Sequence, residues 1–255
     1  MSLEALIFDV DGTLAETEEL HRRAFNRTFV RLGLDFEWDR PLYTALLQTT
    51  GGKERFIRYI EDYQPDRRDL LERVGEVHAE KSRAYLELLR DGALGLRPGV
   101  ARLITQARAE GVKLAVATTT TPENVAALLA STLGPESPGW FAIAAGDMVA
   151  RKKPDPAVYA VALEMLVVEP QNAIAFEDSV NGINAARAAG LGAVVATPSL
   201  YLKDEDLSAA TAVVSDLGEP RGPAAAIGGE LFAAGYVDLD GLRALLPTDR
   251  PAQAD

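Results

Sequence analysis

The sequence contains no cysteine, so disulfides and thiolate metal sites are excluded. This fits a reducing compartment, and a cytoplasmic location is the expectation. The two histidines, His21 and His78, stand far apart in the sequence, so no paired-histidine motif is available and any metal should be held by oxygen. No apolar run reaches the roughly 18 residues a membrane span needs, and no membrane partner is expected. Residues 1–5 carry no basic segment and run straight into an apolar stretch, so no signal peptide is visible. Repeats and low-complexity tracts are absent. Basic residues are outnumbered, 26 Lys and Arg against 38 Asp and Glu, for a net charge of −12. That balance argues against nucleic acid as a partner. An anionic small molecule remains compatible with it if its site is locally positive. Hydrophobic residues make up 47% of 255 positions, enough for one large domain or for a core plus an insert.

The chain is organised around Leu6-Ile-Phe-Asp-Val-Asp-Gly-Thr-Leu14. Leu6–Phe8 read as a buried strand, and Gly12 permits a sharp turn past its end. Residues i and i+2 of a strand point the same way, so Asp9 and Asp11 start on one face. Two carboxylates that close repel unless a cation offsets them, and an oxygen-rich site suits Mg²⁺.

From Glu16 the pattern becomes helical. Leu20, Ala24, Phe25, Thr28, Phe29 and Leu32 recur at three- and four-residue spacing, and Gly33 stops the run. Further helices are predicted over 39–48, from Lys53 to Ile60, and over 66–90, with breaks at Thr49-Thr50-Gly51-Gly52, Pro65, Asp91-Gly92 and Arg97-Pro98-Gly99. An α/β alternation then follows. Strands are predicted over 112–117, 141–145, 173–176 and 192–197, with helices over 99–110, 122–133, 155–166 and 180–189. Residues 218–255 are weaker, with a Gly-rich 227–229, a helix near 239–246 and a polar tail. Repeated βα units imply a parallel sheet covered on both faces, doubly wound because crossovers are right-handed. The expected architecture is a Rossmann-like α/β core, residues 1–15 and 91–255, with an all-helical cap, residues 16–90, inserted after the first strand.

Ligands in such sheets bind outside the carboxyl ends of the strands. Those ends carry Asp9 and Asp11, Thr118, and Glu177 with Asp178, while Lys153 follows the third strand. The acids suit Mg²⁺, and the lysine and hydroxyl suit the oxygens of a phosphate. Taken singly, each has a plainer reading. Thr118 reads as a helix cap, Lys153 as part of the charged run Arg151–Asp155, and Glu177-Asp178 as first-turn helix acids. The functional reading rests on all of them standing at successive strand ends in this order.

With D9-V-D11-G-T, Thr118, Lys153 and E177-D178 in place, the chain resembles the haloacid dehalogenase-like hydrolases over residues 1–200. Glu16-Thr17, His21 and Glu177-Asp178-Ser179-x-x-Gly182 are similar to the subgroup that holds β-phosphoglucomutase. Gly51-Gly52-Lys53-Glu54-Arg55 resembles the CbbY proteins, which dephosphorylate xylulose 1,5-bisphosphate, a misfire product that inhibits Rubisco. The resemblance implies Asp9 as nucleophile, Asp11 as acid and base, and Thr118, the Thr119 N–H and Lys153 on the phosphoryl oxygens. It implies Mg²⁺ on Asp9, the Asp11 carbonyl and Asp178, with Glu177 direct or through water. Glu16 and His21 stand where the cap begins. His21 reads either as a partner that orients Asp11 or as a solvated helix histidine. Gly51-Gly52-Lys53, by itself a helix-breaking turn, becomes under the resemblance a second anion site with Arg55 beside it. A monomeric sugar-phosphate phosphatase is the expectation. A phosphomutase shares nearly every motif. A dehalogenase would not need Asp11 or Glu177-Asp178, and a receiver-like phospho-acceptor would have neither the helical insert nor the D-x-D-G-T turn.

Overall fold

The computed structural model describes residues 2–91, 94–202, 204–228 and 232–247. Its centre is a seven-stranded sheet in the order β3-β2-β1-β4-β5-β6-β7. The strands are β1 (Ala5–Phe8), β2 (Lys113–Ala117), β3 (Ala142–Ala144), β4 (Ala173–Glu177), β5 (Ala193–Ala196), β6 (Ala212–Val214) and β7 (Ala226–Gly228). Six run parallel, and β7 joins β6 antiparallel at the edge. Strand β1 pairs with β2 on one side and β4 on the other, so the strand order reverses at β1. This is where a doubly wound sheet opens its ligand crevice. All four residues of β1 are buried. Its continuous apolar character follows from having helices on both faces.

The core helices are α5 (Val100–Ala109), α6 (Pro122–Leu133), α7 (Ala157–Leu166), α8 (Val180–Ala188) and α9 (Leu239–Leu245). Two apolar clusters fill the two faces of the sheet. One holds Leu6, Phe8, Ile104, Leu128 and Phe176, the other Ile7, Tyr159, Leu163 and Ile183. The alternation of Leu6 and Ile7 between them is the period-two geometry of a strand. Phe8 and Phe176 stack across neighbouring strands at 4.5 Å.

Between β1 and β2 lie α1 (Glu18–Arg31), α2 (Arg40–Leu46), α3 (Gly52–Tyr63) and α4 (Val74–Asp91), with no strand among the described residues of this stretch. These helices pack around an aromatic cluster of their own. Trp38 is fully buried within 4.3 Å of Phe25 and 5.2 Å of both Phe29 and Tyr59, centroid to centroid. The lower ends of α1 and α4 continue into the sheet core through Ala24, Tyr85 and Leu88.

The predicted helix over 66–90 is two pieces. Pro65–Arg73 is a 3₁₀ turn, non-helical at Arg67, and α4 begins at Val74. The Arg67 guanidinium lies over the Phe36 ring, and tertiary packing of this kind overrides local propensity. Strands β6 and β7, three residues each, have no counterpart in the sequence reading. Residues 92, 229 and the tail from 248 lie outside the described residues. No helix among the described residues is long and apolar enough to cross a membrane.

Replacing Trp38 with alanine should cost about 3–5 kcal/mol. Hydrogen exchange should show α1–α3 losing protection before the sheet does. Equal loss in both would place Trp38 in a single cooperative unit with the core.

Candidate active site

The loop after β1 is wound around one carbonyl. The Val10 oxygen accepts from the N–H groups of Thr13, Leu14 and Ala15. Asp9 N–H donates to the Phe176 oxygen at 3.0 Å, which extends the ladder and sets Asp9 beside the end of β4. Gly12 has φ +84°, a conformation that disfavours any side chain. A Cβ there would also lie 2.0 Å from Asp178 Oδ2. Glycine is therefore required for the β1 loop to sit against the β4 loop.

One carboxylate oxygen each from Asp9, Glu177 and Asp178 lie within 4.8 Å of one another, and all three residues are buried. Lys153 Nζ donates to Asp9 Oδ1 at 2.7 Å and to Glu177 Oε1 at 2.6 Å. The Tyr159 hydroxyl donates to the same Glu177 oxygen at 2.6 Å. Burial pushes the Asp9 carboxyl well above its usual range, opposed by Lys153 and reinforced by Glu177 and Asp11. Burial, then Asp9 and Glu177, push Asp178 up as well. Lys153 is held charged, because Asp9 and Glu177 outweigh the effect of its burial. Three acids thus face one ammonium, and Asp178 Oδ2 is buried without a hydrogen-bond partner. An all-oxygen donor set with a deficit of positive charge and an orphaned carboxylate oxygen fits Mg²⁺.

Asp11 faces the other way. Its Oδ1 accepts from the Thr17 hydroxyl and lies 2.8 Å from His21 Nε2. His21 Nδ1 lies 2.7 Å from Lys81 Nζ, and the ring stacks on Tyr85 at 4.3 Å. An ammonium only donates, so Nδ1 accepts from it and Nε2 carries the hydrogen offered to Asp11. Burial acts to raise the Asp11 carboxyl, but His21, Thr17 and Lys81 together hold it well below the usual range. Lys81 is pulled down to about 8 by burial and by Arg55, against Asp11 and Glu18.

A cleft open to solvent lies between the core and the helical insert. Asp9, Asp11, Lys153, Asp178, Thr119 and Thr120 line it from the core. His21, Gly51, Gly52, Arg55, His78 and Lys81 line it from the insert. Thr118 is buried at the end of β2, where its Oγ1 accepts from the Thr120 N–H. Arg55 is buried, donates to the Tyr43 hydroxyl at 2.7 Å, and lies 3.6 Å from Glu18. Lys53 lines a smaller adjoining cavity with Lys152, Thr121 and Gly146. Glu16 borders neither space. Its carboxylate accepts from the Leu200 N–H at 3.2 Å and faces Arg97 at 3.5 Å.

The geometry therefore gathers Asp9, Asp11, Lys153, Glu177, Asp178, His21, Gly51, Gly52 and Arg55, and sets Lys53 and Glu16 apart. Sequence reasoning missed Lys81 and Tyr159, and gave Thr17 only as part of a motif, without a role. Lys81 was legible in principle. It stands four residues after Val77 and three before Ala84, on the apolar stripe of α4, where a charged residue needs a partner. Tyr159 gave no such signal, because an aromatic on a buried face is ordinary core.

The profile of the haloacid dehalogenase-like hydrolase family matches residues 3–190. The chain belongs to that family, and its relatives make it a phosphatase. Within the family it falls in the CbbY-like subgroup. It is 48% identical over 221 residues to protein CbbY of Cereibacter sphaeroides, covering 86% of this chain and 95% of that one. It is 51% identical over 218 residues to protein CbbY of Rhodobacter capsulatus, covering 85% and 95%. Among solved structures, a mutant form of CbbY from Rhodobacter sphaeroides in complex with xylulose 1,5-bisphosphate aligns at TM-score 0.79 and 44% identity. The alignment covers 92% of this chain and 99% of that one.

The buried lysine gives a pH signature. Lys81 titrates near 8 in the native state, against an ordinary value of 10.5. Between those values the unfolded chain holds a proton that the native chain has released, so this group makes stability rise with pH. Urea denaturation at about pH 7.5 and about pH 10 should show the wild type gaining about 2 kcal/mol relative to Lys81→Met. A difference that does not change with pH would mean that Lys81 titrates normally.

Proposed function

We propose that the protein is a Mg²⁺-dependent sugar-bisphosphate phosphatase working through an aspartyl-phosphate, with xylulose 1,5-bisphosphate as its substrate. The observation that carries this reading is the two-ended cleft. Acids and Lys153 line it from the core, and buried Arg55 lines it from the insert together with Gly51 and Gly52. The complex of the related CbbY with xylulose 1,5-bisphosphate supports the choice of sugar. Residues 16–90 serve in this reading as a cap that excludes water and selects the substrate.

An Asp9 oxygen attacks phosphorus in line, and the bond from phosphorus to the sugar oxygen breaks. Asp11 gives a proton to that oxygen. Water then attacks the acyl phosphate, yields a proton to Asp11, and the bond to Asp9 breaks to release phosphate. Asp11 is an anion in the arrangement described, the form required for the second half-reaction. Arrival of an anionic substrate beside it raises its pKa and favours the protonated form that the first half needs. Asp9, the Asp11 main-chain carbonyl and Asp178 would hold Mg²⁺. When bound, the ion screens the nucleophile from the phosphate and stabilises charge on the transferring oxygens. Lys153 and the N–H of Thr119 meet the remaining phosphoryl oxygens, with Thr118 fixing the turn that presents them. Glu177, already engaged by Lys153 and Tyr159, orients the lysine and would place a further carboxylate beside the metal. At the far end the N–H groups opening α3, with Arg55, take the second phosphate, and Lys53 adds charge from the adjoining cavity.

Asp9→Asn should abolish turnover, because an amide cannot form the acyl phosphate. Near-native turnover would remove Asp9 as nucleophile. Phosphate release should require Mg²⁺ and stop with EDTA, whereas rescue by Zn²⁺ alone would contradict the oxygen-ligand site.

The cap is tested with Arg55→Lys, which keeps a cation beside Glu18. It should lower kcat/KM for xylulose 1,5-bisphosphate by roughly 10–150-fold and leave p-nitrophenyl phosphate nearly unchanged. Equal losses on both substrates would mean that the cap does not read a second phosphate. Conversion of β-glucose 1-phosphate to the 6-phosphate would instead make the protein a mutase.

A further inference from the structure

Arg97 is not part of the chemistry described above, yet its guanidinium is the most heavily engaged in the molecule's described hydrogen bonds. It lies in the second crossing between the helical insert and the core, and its side chain is 9% exposed. Nη1 donates to the carbonyl oxygens of Gly12 and Thr197, the latter at 2.9 Å, and to Thr197 Oγ1 at 3.2 Å. Nη2 donates to the carbonyls of Pro198 at 2.8 Å and Ser215 at 3.0 Å. Nε faces Glu16 of the first crossing at 3.5 Å, and the Arg97 N–H donates to the Leu14 oxygen at 2.9 Å.

Gly12 is what makes this cluster consequential. A Cβ on it would meet Asp178 Oδ2 at 2.0 Å and Ser199 Cβ at 2.7 Å. The Gly12 backbone is thus wedged between the Asp178 carboxylate and the loop after β5. Arg97 grips both parts of that wedge, Gly12 through its carbonyl and the loop through Thr197 and Pro198. We propose that Arg97 is a positioning residue that fixes the spacing between the Asp9–Gly12 loop and Asp178, and hence the affinity of the cation site. Five donor contacts at fixed angles need the planar guanidinium fork, which an ammonium does not reproduce. The inference rests on the Mg²⁺ reading of Asp9 and Asp178.

The test compares wild type, Arg97→Lys and Arg97→Gln for Mn²⁺ binding by EPR without substrate, and for hydrolysis of p-nitrophenyl phosphate across a Mg²⁺ titration. Both variants should bind Mn²⁺ about tenfold or more weakly, with half-saturating Mg²⁺ raised to match. At saturating Mg²⁺ kcat should fall, while KM should change less than about threefold. Variants that are less heat-stable but bind Mn²⁺ like the wild type would overturn the proposal. So would failure of both to fold, which would make Arg97 a residue of the fold alone. A wild type that binds no Mn²⁺ would remove the cation reading itself, a result separable from any effect at Arg97.

Discussion

The structure depends on holding three carboxylates and one ammonium together out of water. Asp9, Glu177 and Asp178 are each less than a tenth exposed, as is Lys153. Ionised groups resist burial by several kcal/mol each unless charge and hydrogen bonds offset it. Lys153 answers two of the acids, Tyr159 adds a donor to Glu177, and Asp178 keeps an oxygen unanswered. The sheet supplies the rigidity this needs. β1 and β4 are adjacent and in register, Phe8 beside Phe176, so the residues that follow them are forced together at the carboxyl ends.

A second constraint acts across the cleft. Gln48 donates to Glu205 at 3.0 Å, and Asn181 donates to Thr50 at 3.0 Å. Leu202, from the loop after β5, is buried in the aromatic cluster of the helical insert. These contacts tie α2 and the turn before α3 to the core, so the cleft is described with its two walls joined. His21 and Lys81 both come from the insert, His21 reaching Asp11 of the core and Lys81 standing behind it. Position of the insert and charge on Asp11 are therefore coupled through direct hydrogen bonds rather than through distance alone.

Much of the site was legible because strand ends are legible. A short apolar run followed by Asp, Thr or Glu-Asp marks where a parallel strand stops, and topology puts such stops on one side. The Lys81–His21–Asp11 chain was harder to see. His21 and Lys81 are 60 residues apart, and nothing local to either names the other. Lys53 shows how helix geometry separates neighbours in sequence. It stands next to two glycines in sequence, but two residues along a helix turn through about 200°, so Lys53 lines the adjoining cavity while Arg55 lines the cleft. The 3₁₀ turn over Pro65–Arg73 was read as helix because its apolar positions suit either geometry.

The sequence by itself determined the alternation of strands and helices, the insert after the first strand, and the identity of the residues at the strand ends. Those features are local, set by period, by turn residues and by short motifs. Only the tertiary structure decided which charges meet. It paired Lys153 with Asp9 and Glu177, turned Asp11 toward His21 and Thr17, and left an oxygen of Asp178 without a partner. It also drew Arg97 onto the loops behind the site. Each of these depends on distances between residues far apart in the chain, and electrostatic energy depends on distance and burial, neither of which a linear sequence contains.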